Sequence, residues 1–379
     1  MRYCKKCVLP DTRPGLEIGN DGICTACKGH EQKDINIDWD KRRKELKSLI
    51  ADAKKRSSGY DCIIPVSGGK DSTWQVIKCL EYNLRILAVT WKTPARTELG
   101  QKNLDNLVKL GVDHIDYTID PEVEKRFMYK TLVKTGSTAV PMHMALYAIP
   151  LKIAVNYNIP LVVWGESPHM EYGGTEENRN RNQLDMEWFK RHGILQDTCA
   201  EDWLDEDLTR KDLGPYFLPD ETEFKEKKVK SIFLGYYIKW DPEESLRVAK
   251  ENGFQVRKEG PKVGYYNYAD IDCDFISIHH HFKLLKFGFT RLFDNLSIEI
   301  RNNRMTRADA VRVIYEQGDQ RPDEDIDNLC RFIDISSDHF RGIEEKFRNQ
   351  DIWKKDKNGE WRLPDFEREF GFRLKRNGG

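Results

Sequence analysis

Long apolar runs are missing from this 379-residue chain. No stretch reaches the roughly 18 consecutive apolar residues that a membrane-crossing helix needs, so no membrane association is expected. The first residues, Met1-Arg2-Tyr3-Cys4-Lys5-Lys6-Cys7, lack the apolar core of a secretory signal, and the chain reads as cytoplasmic. Charge imbalance is missing too: 62 Lys and Arg stand against 63 Asp and Glu, for a net charge of −1. A protein whose main partner is a long polyanion ordinarily carries a basic excess, because phosphate contacts dominate such binding. No nucleic-acid partner is therefore expected, although a local basic patch stays open. Internal repeats and low-complexity tracts are absent as well. What is present is enough apolar material for a core, 39% of residues, under a heavily charged surface, 33% of residues. The length suits two domains, or one large domain with additions.

Four of the nine cysteines form two pairs near the N-terminus, Cys4-x₂-Cys7 and Cys24-x₂-Cys27, sixteen residues apart. In a reducing compartment such pairs point to metal rather than disulfides. Each pair makes a tight knuckle whose two sulfurs can face one ion. A closed four-cysteine zinc site has no open position, so its role would be structural. An iron–sulfur cluster and a redox-active thiol pair are the rival readings. A segment this short has too little core to fold without a metal. The remaining cysteines, Cys62, Cys79, Cys199, Cys273 and Cys330, read as small core residues.

Beyond a polar amphipathic helix over 38–56, the pattern changes to short apolar runs alternating with helical spacing. Strands are expected at Tyr60–Val66, Arg85–Thr90, His114–Ile119, Ile159–Trp164 and Ser231–Ile238. Helices are expected at Ser72–Tyr82, Thr97–Leu110, 121–134 and 142–157. This order predicts an α/β fold, a doubly wound parallel sheet with helices on both faces. The chain then divides into a cysteine segment (1–35), a linking helix (36–58), the α/β domain (59–240) and a mostly helical C-terminal region (241–379). Within the α/β domain, 167–230 is polar and irregular and reads as an insertion or mobile loop.

The segment YDCIIPV-SGGKDS-TWQVIKCL sets a glycine pair between a buried strand and a helix. Glycines let successive backbone N–H groups curl around an oxyanion, and the helix N-terminus adds partial positive charge. Ser67 and Ser72 supply hydroxyls, Lys70 a cation, and Asp71 a carboxylate able to help hold Mg²⁺ beside a phosphate. Ser67-Gly68-Gly69-Lys70-Asp71-Ser72 is not a Walker A loop, which needs two glycines farther apart before the lysine. It resembles instead the PP-loop of ATP pyrophosphatases. That resemblance implies binding of the β- and γ-phosphates of ATP and cleavage to AMP and pyrophosphate. It also places adenine near Thr90, at the end of the second strand. Nucleotide and acceptor would meet at Gly165-Glu166, after the fourth, in keeping with ligand binding at the carboxyl ends of strands.

Over nearly its full length the chain resembles the N-acetyl sugar amidotransferases of bacterial surface-polysaccharide and nonulosonic-acid pathways, such as those of pseudaminic acid. The resembling stretches are CKKCVLPDTRPG (4–15), DGICTAC (21–27), YDCIIPVSGGKDS (60–72), WGESPHMEYGG (164–174), the DCD stretch (272–274) and KFGF (286–289). The resemblance implies ATP-dependent conversion of an acetamido to an acetamidino group on a nucleotide-activated sugar. Lys70, Asp71 and Glu166 would be the catalytic set. The chain shows no Gly-x-Cys-x-Gly elbow for hydrolysing glutamine, and Cys4 belongs to the metal cluster. Ammonia is accordingly expected from a separate glutaminase subunit.

Several polar groups invite a substrate role and have a plainer reading beside it. Glu166, His169 and Glu171, followed by Tyr172, could contact the sugar or Mg²⁺ or handle protons; they could equally line a solvated loop. His279-His280-His281 resembles a metal cluster, but three adjacent residues cannot face one point on regular backbone, so chance proximity or a polar surface is favoured. Lys283, Lys286 and Arg291 could clamp a phosphate or carboxylate; for Lys283 a solvated helix face is favoured. The competing functions are a tRNA thiolase and a non-catalytic zinc-dependent assembly factor that keeps an ATP fold.

Overall fold

The computed structural model describes residues 1–167, 171, 182–190 and 195–377. Its centre is a five-stranded parallel sheet: β1 (Cys62–Pro65), β2 (Ile86–Trp91), β3 (Asp113–Tyr117), β4 (Leu161–Trp164) and β5 (Lys230–Phe233). The spatial order is β3-β2-β1-β4-β5, so the order reverses between β1 and β4, which pair through Ile63 and Val162. Helices α2 (Trp39–Arg56), α3 (Lys70–Leu80) and α4 (Glu98–Val108) bury one face of the sheet, with α7 (Pro242–Glu251). Helices α5 (Pro121–Thr135) and α6 (Ala139–Asn156) bury the other. This is the doubly wound α/β architecture expected from the alternation of short apolar runs and helical spacing.

Local chemistry sets the boundaries. Asp38, Thr97 and Asp120 cap α2, α4 and α5 by accepting first-turn N–H groups, and Gly136 ends α5 in the left-handed conformation. Helix α6 is apolar around nearly its whole circumference, as a helix walled in on all sides must be. The fifth strand is shorter than the run Ser231–Ile238 suggests. After Phe233 the chain makes a helical turn, Leu234–Tyr237, because Gly235 must press its N–H against the Gly165 carbonyl, 3.0 Å away. The described part of 167–230 carries Trp188, Phe189, Trp203, Tyr216 and Phe224 into the core under β1 and β4. These aromatics follow no strand or helix period, which hides them in the sequence.

The two ends of the chain fold together. Helix α1 (Thr25–Asn36) starts in the second cysteine knuckle, where Cys24 Sγ accepts the Cys27 N–H as its N-cap. The cysteine segment shares one core with α8 (Ile276–Phe287), α9 (Arg291–Arg301), α10 (Arg307–Gln317) and α13 (Pro364–Phe370). Helices α11 (Asp323–Phe332) and α12 (Ser337–Phe347) complete the helical C-terminal region. No described helix is long and apolar enough to cross a membrane.

The C-terminal region reaches the sheet through the segment 270–274. Thr97 N–H donates to the Asp272 carbonyl at 3.2 Å, Asp274 N–H to the Ala95 carbonyl at 3.0 Å, and Arg96 bridges Cys273. Gly100 permits the approach: a Cβ there would lie 2.7 Å from Asp272 Cα. Backbone cannot yield as a side chain tip can, so Gly100→Ala is expected to cost about 2–3 kcal/mol. Urea denaturation checks this; an unchanged midpoint would show that the contact is looser than described.

Candidate functional site

The phosphate-type loop lies at the carboxyl end of β1, beside the reversal of strand order, the place where ligands enter open α/β sheets. Gly69 is the N-cap of α3 and offers no side-chain cap, which leaves the first-turn amides and the positive end of the helix facing outward. Gly68 has φ +87°, and a Cβ there would sit 2.8 Å from the Gly100 carbonyl oxygen. Conformation and space both demand glycine. Ser67 N–H donates to Ser72 Oγ at 3.1 Å, and Gly69 N–H to Ser67 Oγ at 3.3 Å. The Ser67 hydroxyl also bonds the Asp272 carboxylate, whose pKa burial pushes upward.

Lys70 is buried, its ammonium 2.6 and 2.7 Å from the two Asp71 oxygens. It also faces the rings of Trp240 and Tyr268, at 5.2 and 5.6 Å from their centroids. Asp71 Oδ1 accepts the Trp240 indole N–H at 2.9 Å. Glu166, one residue past the Gly165 turn, completes the group. Burial first, then the charge of Asp71, pushes its carboxyl up to about 7, with Lys70 opposing and Glu171 adding. A carboxyl titrating there exchanges protons at neutral pH. The backbone around it is fixed: Gln75 Nε2 donates to the Val163 carbonyl at 2.5 Å, and a Cβ on Gly235 would lie 3.1 Å from Glu166 Cα.

Glu171 is buried and pairs with Lys33 of α1 at 2.5 Å; Lys33 also donates to the Trp240 carbonyl at 3.3 Å. From α9, buried Arg301 donates to the Glu171 carbonyl at 2.9 Å. Thr90 is occupied between strands, donating to the Val66 carbonyl at 2.8 Å and meeting His114 Nε2 at 2.9 Å. His169 and Tyr172 lie outside the described residues. The structure thus brings Ser67, Gly68, Gly69, Lys70, Asp71, Ser72, Gly165, Glu166 and Glu171 together around the end of β1 and β4, with Thr90 at the neighbouring end of β2. It adds Lys33, Trp240, Tyr268, Asp272 and Arg301, which sequence reasoning did not single out. Of these only Asp272 had a signal, since it opens the DCD stretch at 272–274.

Arg291 and Lys286 sit farther out on the helical region. Arg291 Nε pairs with Asp270 at 3.1 Å, and Asp270 lies near Asp272. Lys286 donates to the Thr135 carbonyl at 3.1 Å. Lys283 is not on a solvated face: its ammonium lies 2.5 Å from Asp294, which is almost fully buried. His280 and His281 are buried as well, rather than on a polar surface, and they diverge. His280 Nε2 faces Asp270 at 3.5 Å, whereas His281 Nε2 meets Glu344 at 2.5 Å. Against its burial, His281 and Arg321 hold Glu344 down to about 2.

The four N-terminal thiols are fully buried, and their sulfurs all lie within 4.8 Å of one another. Backbone amides of Cys7 and Cys24 point at Cys4 Sγ, at 3.4 and 3.3 Å, and that of Cys27 at Cys24 Sγ, at 3.4 Å. Such N–H groups stabilise thiolates around a cation. Arg307 of α10 holds the first knuckle by its Cys4 and Cys7 carbonyls, at 3.3 and 3.1 Å. This cluster could hold a metal ion. The other thiols are unsuited to nucleophilic work: burial pushes Cys79 and Cys273 up to about 12 and Cys199 up to about 11, and raises Cys62 and Cys330.

Residues 263–366 match the family described as "LPS biosynthesis protein WbpG-like, C-terminal domain". No curated protein matches the chain. Among solved structures, the chain is similar to the NMN synthetase of Francisella tularensis, with 16% identity over 59% of this chain and 90% of that one, and a TM-score of 0.27. It is similar to the U34-tRNA thiolase NcsA of Methanococcus maripaludis with its [4Fe-4S] cluster, with 14% identity, coverages of 84% and 88%, and a TM-score of 0.32. For the NH3-dependent NAD synthetase of Campylobacter jejuni subsp. jejuni NCTC 11168, in complex with the nitrate ion, the values are 16%, 57%, 93% and 0.28.

Two expectations follow from this geometry. Elemental analysis of the purified chain should return a single tightly held metal ion, lost in Cys24→Ser together with thermal stability; a metal-free, equally stable wild type contradicts this. The second concerns Glu166. Its folded pKa, about 7, lies above the ordinary 4.5, so the folded chain binds this proton more tightly than the unfolded one. The stability that this one proton contributes is fully present below pH 4.5 and is lost as pH rises through about 7. Glu166→Gln should flatten that loss; an unchanged slope in denaturation across this range would argue against the shift.

Proposed function

We propose that the chain is an AMP-forming, ATP-dependent amidotransferase of surface-polysaccharide biosynthesis. It converts the acetamido group of a nucleotide-activated N-acetyl sugar to an acetamidino group. The observation that carries this reading is the grouping of an uncapped glycine loop, a buried Lys70 and a neutral-range Glu166 at the point where the strand order reverses. The description of the family matched by residues 263–366, lipopolysaccharide biosynthesis, supports the pathway.

In this reading the amides of Gly69 and the first turn of α3, with Lys70, hold the β- and γ-phosphates of ATP, and Asp71 helps hold Mg²⁺. A bound Mg²⁺ supplies charge neutralisation of the phosphates. Thr90 and Gly165 border the nucleoside. The acetamido oxygen attacks the α-phosphorus, the bond to the β-phosphate breaks, and pyrophosphate leaves. Charge builds on that leaving group where Lys70 and the helix N-terminus lie. Glu166 accepts the amide proton as the O-adenylyl imidate forms. Ammonia then adds to the imidate carbon, Glu166 gives its proton to the imidate nitrogen and takes one from the added ammonia nitrogen, and AMP departs to leave the amidinium. Ammonia comes from a separate glutaminase subunit. The cysteine cluster holds zinc in a structural role: a tetrahedral ion with Zn–S bonds of about 2.3 Å sets its sulfurs about 3.8 Å apart, and Cys7 Sγ and Cys24 Sγ lie 3.7 Å apart.

A tRNA thiolase needs a reactive thiol or a persulfide donor beside the loop. The raised thiols of Cys62 and Cys79, the two nearest it in sequence, favour the amidotransferase reading over that one. The test is AMP formation from ATP and ammonium across CMP-nonulosonates and UDP-diacetamido sugars. One of these acceptors should raise AMP release, and both Lys70→Ala and Glu166→Gln should lower that rate by about 10²-fold or more. AMP release indifferent to every sugar, or thiolation of tRNA by the same chain, would sink the assignment.

A further inference from the structure

The C-terminal region carries a cleft that the chemistry at β1 and β4 leaves unused. It opens between the end of α12 and an antiparallel hairpin that pairs Lys354 with Arg362 and Lys355 with Trp361. Its volume is about 500 Å³, and Glu345, Gln350, Trp353, Lys354, Lys355 and Trp361 line it. Small-molecule sites occupy about 300–1,000 Å³, whereas a stable protein interface engages about 20–30 residues a side. Six lining residues around such a volume suit a small ligand better than a protein face.

Tertiary contacts hold the walls in place. Arg348, the residue that ends α12, lies between the two indoles, its guanidinium carbon 5.2 Å from the centroid of each ring. Glu345 Oε1 accepts Arg348 Nε at 3.1 Å and Nη2 at 2.7 Å, and Glu345 Oε2 accepts the Trp361 indole N–H at 2.9 Å. The Trp353 indole N–H donates to the Leu285 carbonyl at 3.0 Å. Both rings are therefore anchored through their nitrogens. Trp353 is buried, while Trp361 stays half-exposed.

Charge at this cleft is one-sided. Glu345 is the single carboxylate among the lining residues, and Arg348 and Trp361 occupy both of its oxygens. Lys354 donates to the Gln350 carbonyl at 2.7 Å, and the Lys355 ammonium lies 4.9 Å from the Trp361 centroid. Among the described residues neither ammonium pairs with a carboxylate, and both lysines are exposed. Beneath the rings, Arg348 Nη1 is out of contact with water and has no hydrogen-bond acceptor. Three cations thus face one engaged carboxylate, and a dehydrated cation that is incompletely paired favours an anion nearby. The ammonium groups suit a phosphate as point charges, and a half-exposed indole suits a flat ring. We propose that this cleft binds a phosphorylated small molecule with a flat ring, of the mononucleotide class, at a site separate from the glycine loop. Lys354 and Lys355 hold the phosphate, and Trp361 takes the ring. Arg348 is a positioning residue that fixes Glu345 and Trp361 and adds charge from beneath. The proposal goes beyond the amidotransferase reading and does not depend on it.

Calorimetric titration of the full chain with AMP, UMP and ribose 5-phosphate tests it, with the glycine-loop site saturated by a non-hydrolysable ATP analogue. At least one nucleotide should bind wild type, and more tightly than ribose 5-phosphate. Lys354→Ala and Lys355→Ala together should weaken that nucleotide about tenfold or more, while Lys355→Arg should keep most of the affinity. Trp361→Leu should weaken the nucleotide about tenfold and leave ribose 5-phosphate within about twofold, a split that mere unfolding does not give. Thermal midpoint and ATP-analogue affinity, measured separately, should match wild type in each variant. The site is overturned if no nucleotide binds, if binding ignores the lysine substitutions, if ribose 5-phosphate binds as tightly as both nucleotides, or if ATP-analogue affinity falls in parallel. An oligoglutamate peptide that binds through the same lysines more tightly than either nucleotide would overturn the small-molecule assignment in favour of an acidic partner protein.

Discussion

One buried cation organises the centre of this molecule. Lys70 sits at the start of α3 under Trp240 and Tyr268, with Asp71 against its ammonium and Glu166 within electrostatic reach. An ammonium taken out of water must keep a compensating charge, so the loop, the end of β4 and the aromatic cover are held to one another. The same constraint splits the two acids. Asp71 is paired with the ammonium, while Glu166 is left to titrate in the neutral range.

The second constraint is that this centre is assembled from parts far apart in sequence. Lys33 comes from the helix that grows out of the cysteine knuckle, and Arg301 from the C-terminal region; both converge on Glu171. Asp272 arrives on a segment that can dock only because Gly100 has no side chain. The cysteine cluster is therefore tied to the carboxyl end of the sheet through α1 and, by the core it shares with α9, through Arg301. A metal ion held by the four cysteines would steady α1, Lys33 and Glu171 in turn.

What the sequence revealed and what it hid follow from range. Ser67 to Ser72 could be read because a glycine turn between an apolar run and a helix is a local signal, and the two cysteine pairs because their spacing is. Strands β1, β2 and β4 were legible as short apolar runs, while β3 is a polar edge strand, DHIDY; β5 was overread, since nothing in SIFLGYYI announces that Gly235 must abut Gly165. Lys283 was taken for a solvated lysine because its own helix shows an amphipathic face; the buried Asp294 that claims it lies on α9. Trp240, Tyr268 and Arg301 carry no motif, and only tertiary contact gives them meaning.

The central claim is that the acetamido oxygen of the acceptor becomes bonded to the α-phosphorus of ATP. An acceptor sugar labelled with ¹⁸O in its acetamido carbonyl, turned over with ATP and ammonium, tests this directly by mass spectrometry. The account predicts that the label appears in AMP and is absent from pyrophosphate. Label in inorganic phosphate beside ADP, or AMP free of label while the amidine accumulates, would contradict it.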